Sequence, residues 1–147
     1  MQGRWETKRS NNEFVRTLHS LPCLRSLVLN VSTVVLLFNQ HWPQIIDLNI
    51  RNNCIVSPKS LSSIEIDGLC RSFTHLKRLA FDCENVRNLS KLFNNMTTTL
   101  SNIHIRHYTN LRDNNLRLIT RQWLEQNTKL SNFDYFNDND CCVYLLL

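Results

Sequence analysis

The ten residues 21–30, LPCLRSLVLN, decide how this chain is read. Their apolar side chains fall at Leu24, Leu27 and Leu29, a gap of two followed by a gap of one. The same spacing returns at Ile45/Leu48/Ile50, Leu76/Leu79/Phe81, Leu100/Ile103/Ile105 and Leu130/Phe133/Tyr135. The second and third members stand two residues apart, as side chains sharing one face of a strand must. Five matches in 147 residues mark an internal repeat. The first members are separated by 21, 31, 24 and 30 residues, room for one strand and one return segment each.

The return segments carry a helical rhythm. Val86, Leu89, Leu92, Phe93 and Met96 recur at three and four residues, and Leu116, Ile119, Trp123 and Leu124 do the same. Ser57-Pro58 reads as an N-cap with proline at the first helical position, and Asp113 or Asn114 as the cap of the helix carrying Trp123. The stretch STVVLLFNQ from Ser32 is β-branched and a weaker helix former. At the N-terminal end, EFVRTLHS from Glu13 reads as an outer helix through Phe14 and Leu18. At the other end, FNDNDCCVYLLL reads as a turn and a returning strand that covers the edge of the final unit.

The expected fold is therefore α/β, a solenoid of about five parallel strands on a concave side with helices on the convex side. Residues 1–13 form a polar segment and residues 14–147 the repeat domain, which is expected to be truncated at its N-terminal end.

Composition narrows the chemistry. With only Gly3 and Gly68, the chain cannot write a glycine-rich phosphate loop or a nucleophile elbow. Cysteines 23, 54, 70, 83, 141 and 142 contain neither C-x-x-C nor a zinc spacing with histidine. Reduced thiols and a polar N-terminus point to the cytoplasm or nucleus, and no apolar run reaches membrane-spanning length. A net charge of +5 favours acidic partners, while scattered Lys and Arg disfavour nucleic acid.

With the phrases LPCLRSL, WPQIIDLNI, CRSFTHLKRLAFDC, LFNNMTTTLSNIHI and RQWLEQNTKLSNFDYFNDND in view, the units resemble the leucine-rich repeats of F-box/leucine-rich-repeat proteins. The resemblance covers roughly residues 14–147. In that family an F-box docks on the Skp1 subunit of a cullin ubiquitin ligase, and the repeats hold the protein to be ubiquitinated. Only about twenty residues precede Leu21 here, so a ligase role requires an F-box upstream. The family's asparagine after the strand stands at Asn53, with Ser32, Glu84, Tyr108 and Asp138 in the equivalent places.

The leading functional expectation is a protein-interaction scaffold, plausibly the substrate-recognition repeats of such a ligase receptor. Its candidate concave face comprises Arg25, Asp47, Asn49, Lys77, Arg78, Asn102, His104, Asn132 and Asp134. A basic centre at Lys77 and Arg78 would grip an acidic or phosphorylated segment of an unidentified protein. The alternatives are a free-standing repeat binder, a non-functional fragment, a Cys/His enzyme or a nucleic-acid binder. No catalytic, cofactor-binding or metal-binding residue is expected. His104 and His107 point to opposite faces of a strand, and Trp5, Trp42 and Trp123 read as packing residues.

Overall fold

The computed structural model describes residues 3–51, 61–83, 88–96, 99–106, 119–138 and 142–147, with side chains from residue 10 onward. Six strands form one mixed sheet: β1 Ser26–Asn30, β2 Asp47–Arg51, β3 Arg78–Asp82, β4 Asn102–Arg106, β5 Asp134–Asp138 and β6 Cys142–Leu146. The helices are α1 Gly3–His19, α2 Val31–Val34 (continued by a 3-10 turn at Val35–Leu37), α3 Ser63–Ser72, α4 Leu89–Met96 and α5 Arg121–Asn127.

The first four strands are parallel neighbours, and their register follows the apolar spacing. Leu27, Leu48, Leu79 and Ile103 form one cross-strand row, and Leu29, Ile50, Phe81 and Ile105 another. All are buried except Leu29 on the first strand, which is half-buried. A second regularity lies just ahead of each strand. The Arg25 carbonyl accepts from both Ile46 N–H at 2.9 Å and Asp47 N–H at 3.1 Å. The Ile46 carbonyl does the same for Lys77 and Arg78, and the Lys77 carbonyl for Ser101 and Asn102. Each carbonyl stands two residues before the second apolar position of its unit, so the repeat extends to the backbone.

That progression stops at Ser101, whose carbonyl accepts from Leu147 N–H at 2.9 Å. Two expectations are thereby corrected. The five repeat strands are not five adjacent parallel strands, and the returning strand does not cover the outer edge. Instead β6 runs antiparallel between β4 and β5, giving the order β1-β2-β3-β4-β6-β5. The physical reason lies in the composition of the hairpin. A strand paired on both edges sits best with apolar residues on both faces, and β6 supplies Val143 and Leu145 inward with Tyr144 and Leu146 outward. β5 carries Asp134, Asn137 and Asp138, the polar composition that blunts a sheet edge.

Short side-chain caps start three of the helices. Asn30 Oδ1 accepts from Thr33 N–H at 2.8 Å, Ser62 Oγ from Glu65 N–H at 3.3 Å and Thr120 Oγ1 from Trp123 N–H at 3.1 Å. Such a cap contributes about 1 kcal/mol by satisfying one orphan amide. The expected caps Ser57-Pro58 and Asp113/Asn114 lie outside the described residues, as do Val86, Leu116 and the Trp5 side chain. Helices α3 and α5 take their caps from Ser62 and Thr120.

The core fills the side of the sheet that the helices cover. Ile66, Leu69, Leu89, Leu92, Phe93, Met96 and Leu124 reach it from α3, α4 and α5. Lys91 Nζ ties α4 to α3, donating to Asp67 Oδ2 at 2.8 Å and Ser63 Oγ at 2.6 Å. Gly68 sits inside α3 because the helix passes close to Phe38: an added Cβ would lie 2.8 Å from its Cδ2. No helix among the described residues is long and apolar enough to cross a membrane.

Candidate functional site

Among the described residues the helices leave the other face of the sheet open, and the register arranges it in rows. The first row runs Ser26, Asp47, Arg78, Asn102, Leu146, Asp134. The second runs Val28, Asn49, Ala80, His104, Tyr144, Phe136. Beyond them Asn30 pairs with Arg51, and Asp82 with Arg106, Cys142 and Asp138 in turn.

The open face thus gathers Asp47, Asn49, Arg78, Asn102 and His104 over adjacent strands. Asp134 belongs to the first row too, but Leu146 separates it from Asn102. Arg25 and Lys77 flank the strands at the lead-in positions. Asn132 lies in the turn before β5, with φ at 54°, a left-handed conformation that asparagine tolerates.

Several residues on this face were not anticipated. Arg106 is one: its Nε donates to Asp82 Oδ1 at 2.6 Å and its Nη2 to the Ile50 carbonyl at 2.9 Å, linking β2, β3 and β4. Its signal was available, since it stands two residues after His104 and must share that face. Tyr144 and Leu146 reach the face because β6 is internal, which no spacing in the sequence discloses, whereas Phe136 stands two residues after Asp134 and shares its face by the same alternation as Arg106.

Charge on the face is partly internal. Arg78 Nε lies 3.0 Å from Asp47 Oδ2, an exposed pair of little energetic weight. The Asp82–Arg106 pair is more enclosed, with Asp82 only 4% exposed. Between the two pairs, Ala80 is the smallest side chain of its row and leaves a shallow depression of about 250 Å3. Arg78, Asn102, His104, Tyr144 and Leu146 are among the residues around it.

His104 stacks on Tyr144, ring centroids 4.3 Å apart and planes 17° from parallel. Burial lowers its pKa, the nearby Arg106 guanidinium lowers it further, and Asp82 opposes the shift. The unfolded chain therefore binds a proton here more readily than the folded one. The stabilisation is complete above the unfolded value of 6.5 and is lost as the pH falls through it. Between about pH 7.5 and 5, the wild-type melting temperature is expected to fall more steeply than that of His104→Gln. Parallel curves for the two chains would refute this.

Burial, with Asp67 adding to it, pushes the Cys70 thiol up to about 11, so it is protonated at neutral pH and a poor nucleophile. Among the described residues no group of three or more His, Cys, Asp or Glu side chains is placed to hold a metal ion. Trp42 is buried and Trp123 half-buried, while His107 lies outside the described residues.

The chain matches no family model, no curated protein and no solved structure.

Proposed function

We propose that the chain is an interaction module of leucine-rich-repeat-like units whose open sheet face binds an acidic segment of a partner protein. The repeat reading is supported by the shared register of β1 to β4 and by the recurring bifurcated carbonyl at Arg25, Ile46 and Lys77. The binding reading is carried by charge. Across β1 to β4 and their lead-ins stand five cations, Arg25, Arg51, Lys77, Arg78 and Arg106, against two carboxylates, Asp47 and Asp82. Both carboxylates are already paired, so the β1 to β4 part of the face keeps a positive excess for a carboxylate- or phosphate-bearing segment. In an F-box-type receptor the occupant would be the protein to be ubiquitinated.

The test uses two fluorescein-labelled peptides, one alternating Glu with Tyr and one alternating Lys with Tyr, read by anisotropy. The acidic peptide is expected to bind and the basic one not. Lys77→Glu with Arg78→Glu is expected to weaken binding about tenfold or more, since two charge-assisted contacts are reversed. The melting curve should change little, because both side chains are exposed and the Asp47 pair is weak. Unchanged acidic-peptide binding by the folded double variant would overturn the assignment. Tighter binding of a single-stranded RNA oligonucleotide, falling steeply with salt, would assign the face to nucleic acid instead.

A further inference from the structure

The sheet ends in two edges of opposite character. At one end, β1 has the sequence SLVLN, without charge or proline, and among the described residues no strand pairs with its outer edge. Strands of this kind are templates for pairing with another chain. At the other end, β5 is acidic through Asp134 and Asp138. Beside β1 stands Arg25, exposed and donating to the Gln44 carbonyl at 3.2 Å, and Arg51 lies one strand further in. Two acidic edges repel each other, whereas an acidic edge suits a basic one.

We propose that β5 of one copy pairs in parallel with β1 of the next, so that the chain assembles head to tail. β5 already runs in the direction of β1 to β4, because it is antiparallel to β6 and β6 is antiparallel to β4. Continuing the register places Asp134 across from Ser26 and beside Arg25, and Phe136 across from Val28. Phe136 is 55% exposed and Val28 59%, and the contact covers both. The joint is heterologous, so it generates open chains of copies rather than a closed dimer. This assembly is independent of the acidic-segment binding proposed above.

Sedimentation velocity on the purified chain tests it. The wild type is expected to show a mass that rises with concentration and falls with added salt. Val28→Lys spoils the β1 edge and Phe136→Lys the β5 edge; each alone should sediment as a monomer. Their mixture should give a one-to-one dimer, because each variant retains the edge the other has lost. Both positions are exposed, and circular dichroism confirms that the variants fold. A monomeric wild type at every concentration would overturn the proposal. Persistent dimers of Phe136→Lys alone would show β1–β1 pairing, and of Val28→Lys alone β5–β5 pairing; either outcome overturns it too.

Discussion

A Leu79→Asp chain is expected to show no cooperative melting. Leu79 lies at the centre of β3, with β2 and β4 on either side, and is 1% exposed. Its row neighbours are Leu48 and Ile103, both buried, so no polar partner on the adjoining strands can receive a carboxylate. Removing a buried leucine side chain alone costs about 2–5 kcal/mol. Burying an unpaired charge adds several more, or forces the group to take up a proton at a similar cost. Against a total stability of roughly 5–15 kcal/mol for a domain of this kind, the sum removes the native state. Circular dichroism against temperature reads the outcome directly. Leu79→Ala serves as the companion variant and should retain a cooperative transition at lower temperature. A wild-type melting curve for Leu79→Asp would show that this row is not the core.

Trp42→Ala is expected to cost about 3–5 kcal/mol in urea unfolding. Trp42 is fully buried and holds together three parts of the helical layer. Its Nε1–H donates to the Leu37 carbonyl at 2.9 Å, its backbone N–H to the Ser72 carbonyl at 2.8 Å, and its ring stacks on His19 of α1 at 4.3 Å. His19 is itself held by a hydrogen bond to Gln40. Alanine keeps the backbone bond but leaves a cavity and removes one of the two hydrogen bonds to the Leu37 carbonyl, which still accepts from Gln40 N–H at 3.2 Å. Trp42→Phe restores much of the volume while losing the donor, and so should cost about 1–3 kcal/mol. Equal losses for the two variants would mean that packing of the ring contributes little, against the geometry described here.

Much of the strand layer was legible because its apolar positions are set by local geometry. A side chain two residues along a strand returns to the same face, so Leu48/Ile50, Leu79/Phe81 and Ile103/Ile105 had to point together. The helix containing Leu89, Leu92, Phe93 and Met96 was legible for the same reason at a different period. The open-face residues Asp47, Asn49, Arg78, Asn102 and His104 followed from the alternation.

What escaped the sequence was long-range pairing. The residues CVYLL announce a strand, but which neighbour takes it is decided by competition between two edges of one hairpin. β6 gains the interior position through apolar residues on both faces, and the acidic β5 is left outside. Tyr144 consequently reached the His104 ring, and Leu146 came between Asn102 and Asp134. The apolar triads could not disclose this, because Leu130, Phe133 and Tyr135 obey the same spacing as units that do pair with their predecessors. One capping signal was overlooked on a smaller scale. Ser62 has the Ser-x-x-Glu pattern of a capping box, a signal as explicit as Ser57-Pro58 and closer to the helix.

The His104–Tyr144 stack and the position of β5 at the sheet edge both depend on the pairing of β4 with β6. Proton NMR of the isotopically labelled chain tests it most directly. Cross-strand nuclear Overhauser effects should connect Ile103 with Leu145 and Ile105 with Val143, in antiparallel order. Effects connecting β4 instead with Tyr135 and Asn137 of β5, in parallel order, would contradict it and make β6 the edge.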